Sequence, residues 1–254
     1  MMKNKFTLLS PTFKRKISKL ICYVPLFFWG LVVGGGGTAF AENIVPEGAL
    51  YVTHNKIFRS RFAAGLNYRT EEEAFSSGSL EYDLDVGLLP FFRRYVFKDP
   101  NAEKAQRLTT RLGFAYLPDL RGTENAADEN RGILEVTARF PFGGSWLLTD
   151  RNKGDFRWIS GDYSARYRNR LRLEHSMALR NVKFTPYANA EAYYDFKVDD
   201  WNRADLTLGA EFPWRWNTVL ECYYTHSENR HGSDGRSWGL VFQKHLVTKP
   251  RGGT

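Results

Sequence analysis

The chain has 254 residues with 36 Lys+Arg against 28 Asp+Glu and a formal charge of +8. Six of those bases and no acid lie within residues 1–41, so the rest of the chain carries 30 bases to 28 acids. That near-neutral remainder excludes nucleic acid as a partner despite a sequence pI near 9.4. With 43% hydrophobic and 15% aromatic residues, disorder is excluded for most of the chain.

The N-terminal segment has the three parts of a secretory signal. A basic stretch ends at Lys19, an apolar run follows over 20–33, and Thr38-Ala39-Phe40-Ala41 supplies small residues at the cleavage positions before Glu42. Cleavage is predicted after Ala41, which leaves residues 42–254 as one mature domain. A permanent anchor is the weaker reading, because the run is interrupted by Pro25 and followed by four glycines. It falls short of the roughly 20 residues that a spanning helix needs. Loss of Cys22 with the leader leaves Cys222 alone, so neither a disulfide scaffold nor a cysteine-based zinc site is available.

Beyond Ala41 the pattern alternates with period two, which places successive side chains on opposite faces of a strand. Phe58, Phe62, Ala64, Leu66 and Tyr68 oppose Arg59, Arg61, Asn67 and Arg69. Leu80, Tyr82, Leu84, Val86 and Leu88 oppose Glu81, Asp83 and Asp85. Next, Leu108, Leu112, Phe114 and Tyr116 oppose Arg107, Thr109 and Arg111, and Leu134, Val136, Ala138 and Phe140 oppose Glu135, Thr137 and Arg139. A weaker strand covers 146–151. In the clearest one, Tyr163, Ala165, Tyr167, Leu171 and Leu173 oppose Asp162, Ser164, Arg166, Arg168, Arg170, Arg172 and Glu174. Then Phe184, Ala188, Ala190, Ala192, Tyr194 and Phe196 face away from Asn189, Glu191 and Asp195, and Ala204, Leu206, Leu208 and Ala210 from Arg203, Asp205 and Glu211. Strands near Leu220–Tyr224 and Trp238–Leu246 complete the series.

This is an all-β chain, read as an antiparallel up-and-down transmembrane barrel of about ten strands. Extra strands at 49–55 and 156–159 would make twelve. With both termini taken as periplasmic, odd-numbered connections are extracellular. The short turns at 141–145 and 213–217 then fall on one side, and the long stretches 118–132 and 228–236 on the other. Connections at 98–106 and 176–183 are longer than this scheme wants, and Pro186 sits inside a strand. A soluble barrel or sandwich with the apolar face inward is the alternative. Ten strands would leave an interior that Ala, Leu and Val cannot fill. Turned outward, the same face has Ala, Leu and Val at its middle and aromatics at the strand ends, as at two membrane interfaces.

Residues 147–155, 167–174, 187–195 and 201–203, among them Leu147-Leu148-Thr149-Asp150-Arg151 and Tyr167-Arg168-Asn169-Arg170-Leu171-Arg172, carry a resemblance. Here the chain resembles the proteobacterial outer-membrane barrels catalogued as domain of unknown function 2490. The resemblance implies a barrel in the outer membrane of a Gram-negative envelope and no known activity, so it transfers no catalytic residue. Many outer-membrane barrels end on an aromatic residue, whereas this chain continues past Leu246 to Thr254.

On the polar faces, Arg166, Arg168, Arg170, Arg172 and Glu174 recur about every 7 Å along one strand. A hairpin closing around Leu179 and Arg180 sets Arg168 opposite Glu191 and Arg166 near Asp195, with Arg203, Asp205 and Glu211 on the next strand. Two readings stand: an internal salt-bridge ladder filling the lumen, and an arginine-lined path for anionic solutes. A lipid-modifying enzyme needs a nucleophile beside its base. His226 and Ser227 are adjacent in sequence and so lie on opposite faces, and no catalytic residue, cofactor or metal site is expected. Glu71, Glu72 and Glu73 and residues 125–130 read as solvated outer loops, divalent-cation binding being the alternative. The expectation is a structural or envelope-associated barrel, not an enzyme, with outer-membrane lipid, lipopolysaccharide and the barrel-assembly machinery as partners.

Overall fold

The computed structural model describes residues 42–90, 100–121 and 127–248. The leader expected over 1–41 lies outside them. Twelve strands follow one another: β1 Asn43–Thr53, β2 Phe58–Arg69, β3 Ala74–Pro90, β4 Gln106–Leu117, β5 Glu129–Phe142, β6 Trp146–Ile159, β7 Asp162–His175, β8 Met177–Leu179, β9 Val182–Asp195, β10 Asp200–Trp214, β11 Thr218–Asn229 and β12 Gly235–Val247. Two short 3-10 turns, Ala102–Ala105 and Arg215–Asn217, interrupt them. Each wall strand except β1 and β12 pairs antiparallel with both of its neighbours, and the sheet closes where β1 pairs in parallel with β12, from Asn43↔Ser237 to Thr53↔Val247.

The closed wall has eleven strands, with β8 as an addition. This lies between the ten and twelve read from the sequence. The strand missing from the main series is β1, which the alternation marks only in part at 49–55. Residues 156–159 are instead the end of β6, which runs unbroken from Trp146 to Ile159. An odd count has a consequence that an even count forbids: the two chain ends enter the wall at opposite rims. Glu42 accepts from Thr70 N at one rim, and Thr248 N donates to Thr53 O at the other. The placement of both termini on one side is therefore corrected. We call these the N rim, with the described residues of connections 70–73, 118–121 and 127–128, 160–161, 196–199 and 230–234, and the C rim, with 54–57, 100–105, 143–145, 180–181 and 215–217.

The two awkward features of the sequence resolve each other. β8 continues β7 in the same register, Glu174↔Tyr187 before and Met177↔Phe184 after, and the ladder breaks only opposite Thr185 and Pro186. Pro186 has no N–H to give at that break, and Ser176 N turns instead to Ser145 O at 3.1 Å. The stretch 176–183 is thus mostly strand around a turn at Arg180 and Asn181, with Leu179 opposite Val182. At the opposite rim β6 and β7 are joined by Ser160-Gly161, both at positive φ (51° and 94°). That is the two-residue turn whose twist matches the strands it joins, and glycine takes its second position without strain.

The apolar face is the outer one. Leu112 is 60% exposed, Phe114 52% and Leu171 48%, while Asp83 and Asp155 on the inner face are wholly buried. Outward aromatics gather toward both rims. Near the N rim Tyr68 meets Phe75, Trp158 meets Tyr163 and Tyr194 meets Trp201, at 5.3, 5.5 and 5.4 Å between ring centroids. Near the C rim Phe142 meets Trp146 at 6.3 Å and Phe184 meets Phe212 at 6.2 Å.

Candidate functional site

The alternation that turns Leu and Phe outward turns a dense set of ionised groups into the lumen. On β7 the expected ladder is present, but with different partners. The hairpin turns at Arg180 and Asn181, one residue later than expected, and this shifts the register by two. Arg168 therefore faces Tyr193, and Arg170 faces Glu191. Arg166, expected near Asp195, falls directly opposite it. Its ion pair is with Asp155 on β6, at 3.2 Å. Asp195 caps the N-rim turn by accepting from Lys197 N at 2.9 Å.

Arg168 lies between Asp155 at 3.3 Å and Glu191 at 3.5 Å. Arg172 pairs with Glu174 at 3.2 Å and with Glu211, and its guanidinium sits 3.7 Å over the Tyr187 ring. Arg203 donates to Asp205 at 2.7 Å, and Asp205 also accepts from Tyr193 Oη at 2.7 Å. The sequence-read residues are thus gathered in one lumen, apart from Asp195 at its rim.

A second cluster, across β2, β3 and β4, was not assembled from the sequence. Asp85 accepts from Arg59 Nη2 and from Arg111 Nε, both at 2.6 Å, and Asp83 accepts from Arg61 at 2.8 Å. Arg61 also holds Glu81 and Glu47. Each of these residues except Glu47 reads as polar-faced by period two, but which of them meet depends on the stagger between strands, and period two does not encode it. Gly113, opposite Asp83, makes the cluster possible, because a Cβ there would overlap the Asp83 carboxylate. Gly113→Ala is expected to cost about 1–3 kcal/mol, read as a lower urea midpoint for the folded barrel.

The connection between β3 and β4 supplies an element that the strand pattern misses. Its 3-10 turn Ala102–Ala105 enters the lumen at the C rim. Asn101 caps the turn by accepting from Glu103 N at 3.1 Å and also accepts from Arg59 at 2.7 Å. Glu103 takes Arg59 and Arg139. Lys104 is nearly buried and reaches Glu211 on β10 at 2.6 Å and Glu174 on β7 at 3.2 Å. The turn thus ties β2 and β5 to β7 and β10 across the barrel. This accounts for the excess length of the connection: those residues form a plug. Between plug and wall a cavity of about 350 Å³ is left, lined by Tyr51, Arg111, Arg151, Arg170, Asn189 and Tyr223 among others.

Outside the lumen, His226 lies 3.9 Å from Glu228, and Ser227 accepts from Arg203 on the inner face, so the adjacent pair is split by the wall. His54 Nε2 and Ser60 Oγ approach to 2.9 Å at the C rim. Ser60 is buried, which makes the contact a clasp of the 54–57 turn rather than an accessible nucleophile. Cys222 is buried on the outer register between Ala210 and Leu240. Glu72 accepts from Arg69, and residues 122–126 of the 118–128 connection lie outside the described part. In that connection the Arg121 guanidinium holds the Asp119 carboxyl below the usual carboxylate range, and the Tyr116 hydroxyl does the same for Asp128.

No curated protein and no solved structure matches the chain. A family model described as "Protein of unknown function (DUF2490)" matches residues 53–236. The match runs from the end of β1 to the first residues of β12, so it spans most of the wall and leaves out nearly all of the parallel seam. Over that length it establishes the family, and the chain belongs to the DUF2490 proteins.

Proposed function

We propose that the mature chain is an integral outer-membrane β-barrel with a structural or envelope-associated role and a lumen closed by its own charges and plug. One observation carries this reading: a closed wall with large apolar side chains exposed on the outside of nine of its eleven strands and most ionised ones turned inside. In water such a surface would be an aggregation hazard, since soluble monomers rarely expose contiguous apolar patches above a few hundred Å². In a bilayer it is the stable arrangement, because closure pairs the backbone of every wall strand. The eleven wall strands run from 11 to 17 residues, enough for the roughly 9–11 that a tilted spanning strand requires. Export through the Sec pathway with cleavage after Ala41, insertion by the barrel-assembly machinery, and contact with lipopolysaccharide belong to the same reading.

Membrane fractionation with heated and unheated gel samples is the direct test. The protein is expected in the outer-membrane fraction and to migrate faster unheated than boiled. A soluble fraction with one migration position would reject the proposal. The parallel seam adds a sharper expectation. Cysteines placed at Ser145 on the C rim and Ser233 on the N rim should react with an impermeant thiol reagent from opposite sides of the membrane, and so should cysteines at Glu42 and Thr248. Labelling of both chain ends from one side would contradict the odd strand count.

A second reading, an anion-selective pore, is favoured by the arginine row of β7 and opposed by the plug. It requires the 101–105 segment to leave the lumen. No catalytic role is proposed for any residue.

A further inference from the structure

We propose that the lumen cavity binds a small oxyanion, a phosphate or a carboxylate, on Arg170. The inference rests on the inner wall alone and holds whatever surrounds the barrel outside. Arg170 stands directly opposite Arg151 on β6 and directly opposite Glu191 on β9. Glu191 would be its natural partner, but Arg151 already donates to Glu191 Oε1 at 2.7 Å and Arg168 approaches the same oxygen at 3.5 Å. Arg170 therefore makes no hydrogen bond and no ion pair among the described residues, and its Nε is buried without an acceptor.

Every other cation lining the cavity has an acid within 4 Å: Arg61 with Glu47, Lys104 with Glu211, Arg111 with Asp85, Arg139 with Glu103, Arg151 with Glu191 and Arg172 with Glu174. Two guanidinium groups facing each other across neighbouring strands repel. Glu191 and Glu135 are near enough to act on Arg170 electrostatically, but neither contacts it, and a guanidinium whose buried Nε has no acceptor is costly enough that proteins seldom leave one.

The cavity supplies what the wall withholds. Its volume of about 350 Å³ lies at the lower end of small-molecule sites, roughly 300–1,000 Å³. Asn189, the next inward residue on β9 toward the C rim, lines the same cavity, and its amide oxygen is also buried without a partner. Turning that amide over points its NH₂ at the same space. A guanidinium fork beside a free amide donor is the arrangement that recognises a planar or tetrahedral oxyanion by two parallel bonds, and a spherical chloride cannot use it. A bound oxyanion would bridge Arg170 and Arg151 and replace their repulsion by two charge-assisted bonds.

The test uses the purified barrel, refolded in detergent at constant ionic strength with graded phosphate, succinate or chloride, and its thermal unfolding followed by tryptophan fluorescence. Wild-type Tm should rise saturably with phosphate or succinate but not with chloride, and whichever of the two acts at lower concentration identifies the ligand class. Arg170→Gln should raise the half-saturating concentration roughly ten- to hundredfold. Arg230→Gln, which alters an exposed cation of the N-rim connection 230–234, should leave it unchanged. Arg170→Lys keeps the charge, loses the fork and should fall between wild type and Arg170→Gln, and it serves in place of Arg170→Gln if that variant does not fold. No saturable rise, an equal effect of chloride, or a half-saturation unmoved by changing Arg170 overturns the proposal. Unheated gel migration reports the folded barrel independently, so loss of anion binding and failure of the barrel reading are told apart.

Discussion

Replacing Glu103 by Gln and Lys104 by Met together is expected to turn an electrically silent barrel into a conducting one in planar bilayers. Both side chains leave the β3–β4 connection to join opposite walls, Glu103 to Arg59 and Arg139, Lys104 to Glu174 and Glu211. Removing one partner of such a buried pair leaves the other desolvated without a counter-charge, at about 3–5 kcal/mol. Beyond those pairs, one side-chain tether at the head of the turn remains, Asn101 accepting from Arg59 at 2.7 Å. Freed from Arg139 on β5 and from Glu174 and Glu211 on β7 and β10, it swings out of the lumen about that tether more easily than the paired strands shear, and the 350 Å³ cavity becomes continuous with the C rim. In the opened variant Arg168→Ser with Arg170→Ser should lower any anion preference, because the row on β7 is then the narrowest charged lining left. A record as closed as wild type would show that the wall ladder fills the lumen and the plug is incidental.

Leu112→Arg separates the lipid-facing exterior from every water-facing alternative by its energy. Leu112 lies mid-strand on β4 and is 60% exposed. On a surface in water an exposed substitution usually stays within about 0.5 kcal/mol of neutral. At the middle of a bilayer the same change costs about 2–4 kcal/mol, because the guanidinium must be desolvated or the bilayer deformed around it. Denaturant unfolding of the barrel refolded in lipid vesicles should therefore show a large loss for Leu112→Arg and little loss for Arg at Ser233 on the N-rim connection. Equal, small effects at the two positions would mean that water covers the outer wall. Fluorophores at Leu84, Leu171 and Leu208 give a parallel readout through quenching by lipid-borne probes.

Much of the wall is legible because a strand writes its own environment into alternate residues. Leu80, Tyr82 and Leu84 against Glu81, Asp83 and Asp85 already say that one face is apolar and the other ionised, and the same holds for β7 and β10. The faint element was β1, where Pro46, Gly48 and Ala49 blur the alternation. The ladder was legible as a set of residues but not as a set of pairs. Moving one hairpin turn from Leu179 and Arg180 to Arg180 and Asn181 changes every neighbour of β7 on β9, and a two-residue turn with a non-glycine residue at positive φ carries no strong local signal. Glu103 and Lys104 were invisible as site residues because a 3-10 turn of four residues has no period to detect.

The sequence by itself determined the fold class and which side chains share a face, because these follow from local geometry repeated every second residue, and it carried the family as a resemblance over residues 147–203. The tertiary structure decided the count of eleven, the parallel seam with its ends at opposite rims, the plug, and the isolation of Arg170 beside a claimed Glu191. Each of these depends on register or closure, relations between residues far apart in the chain that no single strand encodes.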